Sequence, residues 1–305
     1  MQSKIIVISG PTASGKSRLA IDLAKRYNGE IINADSMQVY KEIKFLSARP
    51  LDTKKIKHHL YGCISVKKNF STGQWLKLVI EKIKQLQQRK KVPIIVGGTG
   101  LYFKSLINGM VLIPKISKAI RNKIIIMHSK LGNSKFYQKL ISLDPKSKFH
   151  IQPSDTQRMI RAYEVFIITK KSIYDWQGET KPFFPLESFV KIALRPDRNY
   201  LHKQIIKRSK TLINSKSILE VKNFLKLQIN KKLPANFIIG IKEIAEYLNK
   251  QINKEQLLEL IIIRTRQYAK RQFTWQRGQM QDWTHFEEQN YSNLIKKVSL
   301  FVSKT

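Results

Sequence analysis

Gly10-Pro11-Thr12-Ala13-Ser14-Gly15-Lys16-Ser17 constrains this chain more than any other segment. The octet has the form G-x-x-x-x-G-K-[ST], which functions only with a buried strand before it and a helix after it. Both are present. Ile5–Ser9 is a β-branched apolar run, and Ser17–Tyr27 places Leu19, Ala20, Leu23 and Ala24 at helical spacing. The glycines let the backbone curl until its N–H groups converge, and the helix N-terminus adds partial positive charge. Such a loop cradles a di- or triphosphate, with Lys16 reaching the terminal phosphate and the Ser17 hydroxyl offered to Mg²⁺. It does not say what becomes of that phosphate: phosphoryl donation, a nucleotide switch and a departing diphosphate all use the same cradle.

The alternation continues past the loop. Glu30–Ala34 and Val92–Val96 read as strands, and Gln74–Lys90 carries Trp75, Leu78, Val79, Ile83 and Leu86 at helical spacing. Strands alternating with helices predict an α/β fold, a phosphate-loop core around a parallel sheet. After Pro114 the texture turns helical, with breaks at Pro145 and Pro153 and an N-cap at Ser154 or Asp155. Trp176–Pro185 reads as a linker, Phe189–Leu194 as a strand, and the stretch near Asp197–Lys210 as a helix. The expected organisation is residues 1–114 as the first part of the core, 115–188 as a helical insertion, and 189–305 completing the core, mainly with helices.

Charge narrows the partners. Lys and Arg number 57 against 21 Asp and Glu, a formal net charge of +36. That excess points to a polyanion such as nucleic acid. It is concentrated. Lys115, Lys118, Arg121, Lys123, Lys130, Lys135, Lys139, Lys146 and Lys148 face only Asp144 over 115–150, and nine further Lys/Arg face only Glu220 over 200–233. The single cysteine, Cys63, excludes an internal disulfide and a Cys-based zinc site. No apolar run approaches a membrane span, and Ile5–Ile8 is too short for a signal-peptide core. The expectation is a cytoplasmic protein without membrane contact.

Two further segments sit where a parallel sheet binds ligands, beyond the carboxyl ends of strands. Asp35-Ser36-Met37-Gln38-Val39-Tyr40 follows the second strand, and Gly97-Gly98-Thr99-Gly100-Leu101-Tyr102 ends the Val92–Val96 strand. Asp35 suits a general base or a magnesium ligand, or merely a turn cap. Thr99 suits a hydrogen bond to substrate or a plain helix cap.

Taken in order and spacing, GPTASGKS, DSMQVY and GGTGLYF resemble the tRNA dimethylallyltransferase (tRNA isopentenyltransferase) family. The likeness continues through His58-His59-Leu60, Asp155–Val165 and Thr265–Trp275, and so covers essentially the whole chain. The resemblance implies transfer of a dimethylallyl group from dimethylallyl diphosphate to the exocyclic N6 amine of the adenosine just 3′ of the tRNA anticodon, with Mg²⁺ as cofactor. Carried over by position, it implies Asp35 as the catalytic base. Gly10, Pro11, Thr12, Ala13, Ser14, Gly15, Lys16 and Ser17 form the diphosphate loop, helped by Arg266. Asp35, Ser36, Met37 and Gln38 grip the flipped base. Thr99 and Arg121 contact RNA, and Gln157, Arg158, Met159, Ile160 and Arg161 form a tRNA-facing stretch. The expected partners are the tRNA anticodon stem-loop and dimethylallyl diphosphate, met by a monomer. The chain departs from the family pattern at Ser47-Ala48-Arg49-Pro50 and at Tyr61-Gly62-Cys63-Ile64, away from the residues assigned to chemistry.

The residue types suit that chemistry. An adenine amine is a poor nucleophile and an allylic diphosphate a good electrophile, so catalysis must neutralise the leaving group and aim the amine. Lys16, Arg266, the loop amides and Mg²⁺ suit the first task, and Asp35 the second. Gln38 carries both a donor and an acceptor for an adenine edge. Other readings are a small-molecule kinase, an adenylate isopentenyltransferase, or a non-enzymatic RNA binder that uses nucleotide as a structural ligand. The net charge and the Asp35, Gln38 and Thr99 segments count against the first, and the basic insertion against the second. Adjacent His58 and His59 lack ligand partners at metal spacing.

Overall fold

Ile5–Ser9 forms the central strand of a parallel sheet because every one of its side chains can be buried at once. The computed structural model describes residues 4–50, 55–111, 113–114 and 116–305. Lys115 of the basic run lies outside the described residues. In chain order the elements are β1 (Ile5–Ser9), α1 (Lys16–Arg26), β2 (Gly29–Asn33), β3 (His58–His59), α2 (Thr72–Gln88), β4 (Val92–Gly97) and α3 (Gly100–Asn108). Next come α4 (Lys118–Leu143), α5 (Thr156–Thr169), α6 (Ile173–Gly178), β5 (Phe189–Leu194), α7 (Arg198–Leu212) and α8 (Ser215–Lys226). The chain closes with α9 (Ile241–Leu248), α10 (Lys254–Gln279), β6 (Thr284–Phe286) and α11 (Tyr291–Lys304).

The sheet runs β3-β2-β4-β1-β5-β6, with all pairs parallel. One face packs Ile5, Val7, Ile32 and Ile95 against Trp75, Val79 and Ile83 of α2 and Phe103 and Leu106 of α3. The other packs Ile6, Ile8, Ile31 and Ile94 against Leu19 and Leu23 of α1 and Leu294 and Val298 of α11. The α/β class is as expected. Two edge strands, β3 and β6, are new: at two and three residues they carry no periodicity to read. Part of the expected linker is ordered as α6, capped by the Ser172 side chain.

The chain divides into two compact units, one of residues 1–107 with 184–305 and one of residues 108–183. The larger holds the sheet. It also holds a third apolar cluster, in which Val221 and Phe224 of α8, Ile241 and Ile244 of α9 and Leu257 and Ile261 of α10 pack with Val39, Tyr40 and Ile43. The smaller unit is helical. Ile124, Phe136 and Leu140 of α4 meet Met159, Ala162 and Tyr163 of α5. Helix α4 is broken at Gly132, whose φ of 71° is outside the helical range.

Candidate active site

The helix that follows the phosphate loop starts without a cap. Gly15 holds φ 85° and ψ 1°, a left-handed conformation that glycine tolerates, and no side chain satisfies the first N–H groups of α1. No acid occupies that first turn. A helix start with free N–H groups and no competing carboxylate is an anion site. Within the loop the Ser14 Oγ is buried and has no hydrogen-bond partner. Lys16 is folded back, its Nζ donating to the Pro11 carbonyl at 3.1 Å. Burial pushes its pKa down to about 8, with Arg208 pushing the same way and the Asp35 carboxylate opposing.

Asp35 stands just beyond β2. The buried Asn33 sets it there by bonding on both sides: its Oδ1 accepts the Asp35 N–H at 2.8 Å, and its Nδ2 donates to the Asp35 carbonyl at 3.0 Å. Asp35 Oδ1 accepts the Met37 N–H at 2.9 Å, so the turn-cap reading is correct for that oxygen. Thr99 joins the segments. Its N–H donates to the Ala34 carbonyl, and its Oγ1 accepts the Ser36 N–H at 2.9 Å. Tyr268 of α10 interacts with Thr99. Burial and the Asp35 charge together push the hydroxyls of Tyr268 and Tyr61 well above the usual range, so both stay protonated. Tyr102 is raised the same way, by burial first and then by Tyr40 and Asp35.

Three residues here were not anticipated from the sequence. Arg208 of α7 is desolvated and feels the Asp35 charge, and it in turn acts on Lys16. Two cations thus converge near one carboxylate beside the loop. Gln272 of α10 accepts the Thr12 N–H at 2.8 Å and donates to the Gly98 carbonyl at 3.1 Å, tying the loop to the end of β4. This is why position 98 is glycine: a Cβ there would lie 1.9 Å from Gln272 Nε2. Gln276, one turn on, donates to Ser9 Oγ at 3.2 Å. The only signal for the glutamines was their i, i+4 spacing on one helix; Arg208 was hidden among other basic residues.

Other expected site residues fall differently. Arg266 is exposed on α10, six residues or about 9 Å before Gln272, where that helix touches the loop. It is Arg208 that faces Lys16 and Asp35. Gln38 donates its Nε2 to the Ser47 carbonyl at 2.9 Å, so that amide is engaged inside its own segment. Met159 is fully buried in the α4–α5 core, and Ile160 is half-buried against it. The helical repeat turns these two inward and leaves Gln157, Arg158 and Arg161 of that stretch accessible. Ser17 is exposed at the start of α1. His59 Nε2 pairs with the buried Glu30 at 2.6 Å, and His58 Nδ1 meets the Ile56 carbonyl at 2.8 Å.

A phosphate cradle backed by two cations, with a carboxylate and tyrosines beside it, is a combination that can be sought among known proteins. Residues 38–279 match the IPP transferase family. The chain belongs to the IPP transferase family. The tRNA dimethylallyltransferase of Pelagibacter ubique is 52% identical to it over 97% of this chain and 96% of that protein. The tRNA dimethylallyltransferase of Rickettsia massiliae is 45% identical over 97% of this chain and 83% of that protein. The crystal structure of the tRNA isopentenylpyrophosphate transferase from Bacillus halodurans superposes with a TM-score of 0.71 at 29% identity, covering 99% of this chain and 96% of that one. A eukaryotic dimethylallyltransferase acting on tRNA superposes with a TM-score of 0.84 at 27% identity, covering 99% of this chain and 80% of that one. The matched span includes Gln38, Thr99, Arg208, Tyr268 and Gln272.

Proposed function

We propose that this chain moves a dimethylallyl group from dimethylallyl diphosphate to the N6 amine of the adenosine 3′ of a tRNA anticodon. The chain is a prenyltransferase that acts on tRNA, and the observation that supports this chemistry is the uncapped start of α1 with the buried, unpartnered Ser14 hydroxyl, an anion cradle at which Lys16, Arg208 and Asp35 act on one another electrostatically. The diphosphate lies against the free N–H groups of α1, the Ser14 hydroxyl and the two cations. Its negative charge grows as the allylic C–O bond breaks, so these fixed donors stabilise the transition state more than the ground state. The N6 nitrogen forms the new bond to the allylic carbon. The electron pair of the broken bond leaves with the diphosphate, and the proton released from nitrogen passes to the Asp35 carboxylate.

Asn33 and the Met37 N–H hold Asp35 in one orientation, which aims the amine. The adenine must leave its stack to enter. Tyr61, Tyr102 and Tyr268 give the site an aromatic environment. Ser36, Met37, Gln38 and Thr99 line the same segment, Gln38 reading the base through its carboxamide oxygen.

The donor set fits Mg²⁺. No group of three His, Cys, Asp or Glu able to hold a metal occurs among the described residues. Mg²⁺ takes one or two protein oxygens and fills its shell with phosphate and water, and the Ser17 hydroxyl and Asp35 carboxylate are hard oxygen donors of that kind. Ser17 would hold it, with Asp35 as the nearest carboxylate candidate. When bound, the ion would neutralise charge on the diphosphate. The RNA grip falls to Arg121, Gln157, Arg158 and Arg161 with the surrounding lysines. No helix among the described residues is long and apolar enough to cross a membrane, and the enzyme is proposed to act as a cytoplasmic monomer.

The test is transfer of label from dimethylallyl diphosphate to unmodified tRNA, with and without Mg²⁺, with AMP as a rival acceptor and labelled ATP as a rival donor. Label is expected only in tRNA. Label in AMP, or phosphate moved from ATP, overturns the reading.

A further inference from the structure

Glu164 sits in α5 with its side chain 1% exposed, and neither carboxylate oxygen has a hydrogen-bond partner. Two arginines from different helices lie over it. Arg121 Nε, in the first turn of α4, is 3.5 Å from Oε1, and Arg161 Nη1, one turn earlier in α5, is 3.6 Å from Oε2. A buried carboxylate flanked by Met159, Ala162 and Tyr163 is costly unless paired, and an apolar residue of similar volume would pack there at lower cost. The ion triad therefore calls for a reason beyond packing.

Its geometry suggests one. Both guanidiniums stay accessible, with side chains 61% and 42% exposed. Each has five N–H donors in a rigid fork, and the contacts to Glu164 engage one edge of each. The other edges are left for an incoming anion. The remaining acids of this unit are spoken for elsewhere: Asp144 by Ser147 and Ser172, Asp155 by Arg158, Asp175 by Lys146 and Glu179 by Lys171. Glu164 is thus the one buried carboxylate of the unit that anchors two arginines together. We propose that Glu164 is a positioning residue that locks Arg121 and Arg161 as a paired clamp for an RNA backbone phosphate. The inference rests on the reading that this helical unit grips tRNA.

The clamp makes a prediction opposite to simple charge counting. Glu164→Gln removes a negative charge from a basic RNA-binding surface, so electrostatics alone would tighten tRNA binding. Loss of the clamp weakens it instead, with the dissociation constant rising about tenfold. The loss should appear in KM for tRNA rather than in kcat. The deciding experiment measures tRNA binding for Glu164→Gln alone, for Arg121→Ala/Arg161→Ala, and for all three changes together, at one salt concentration, with a thermal melt for each. Weakening by Glu164→Gln that vanishes once both arginines are gone establishes the clamp. Unchanged or tighter binding, or an equal loss with and without the arginines, overturns it. If removing both arginines leaves tRNA binding intact, the reading of this unit as an RNA grip fails, and the clamp with it. Should Glu164→Gln melt too early to assay, Glu164→Asp keeps the charge but withdraws it by one methylene. It is expected to weaken binding, again only when the arginines are present.

Discussion

The two units place charge in opposite ways. In the sheet unit the charges at the loop are half-buried: Lys16, Arg208 and Asp35 are each partly covered, and burial holds Lys16 near pKa 8. In the helical unit the cations are on the outside and the anion is inside, with Arg121 and Arg161 exposed over the buried Glu164. Desolvated charges act strongly on a small substrate at short range and are poorly screened. Exposed charges act on a long polyanion by their number, and salt weakens them. On the proposed function, the half-buried charges serve bond making and the exposed ones serve RNA holding.

The largest effect expected from breaking this contrast comes from Lys16→Ala. It should lower kcat/KM on the order of 10³-fold and leave the tRNA dissociation constant close to its original value. An equal loss in both would mean that the loop also holds RNA. Raising salt from about 50 to about 200 mM probes the exposed cations. It should weaken tRNA binding on the order of 10²-fold, while affinity for dimethylallyl diphosphate changes much less. A flat tRNA response would place the RNA grip outside the basic field.

A smaller effect sharpens the picture of the sheet unit. Only protonated Lys16 pairs with the diphosphate. Its pKa of about 8 therefore predicts full affinity below that pH and loss above it. Between about pH 7 and about pH 9 the KM for dimethylallyl diphosphate should rise up to about tenfold. A KM that is level across that range would mean that Lys16 is not the titrating group. The smallest shift is expected from Gln272→Leu, which cuts the tie between Thr12 and Gly98. Removing both of its bonds should raise that KM by several-fold, on the order of 1 kcal/mol, with tRNA binding untouched.

The same contrast separates what could be read in the sequence from what could not. The phosphate loop is contiguous and its flanking strand and helix are local, so Gly10–Ser17 could be located from eight residues. Asp35 and Thr99 follow strands that were themselves legible, and the structure joins them through the Ser36 N–H. Arg208 was invisible for a physical reason. It lies among Lys203, Lys207 and Lys210 on a helix where any cation could face water, and only the tertiary fold turns it inward. In the helical unit a resemblance over 157–161 marked a span but not a face, so Met159 was assigned to RNA although the helical repeat sends it into the core. The resemblance places Arg266 at the diphosphate, and a motif read by position gave no sign that α10 also ties Gln272 to the loop. Glu164, the anchor of the exposed pair, lies within Asp155–Val165, where nothing in the sequence marks a glutamate as buried.

The central claim is that Asp35 serves the chemistry by taking the proton of the attacking amine, while most of the tRNA affinity comes from other residues. Asp35→Ala tests it most directly, by single-turnover transfer of dimethylallyl to tRNA alongside tRNA binding on the same preparation. The account predicts transfer reduced by at least about 10²-fold with the tRNA dissociation constant within about twofold of the parent. Transfer that survives the substitution, or binding that falls in step with it, would contradict the division of labour between the two units.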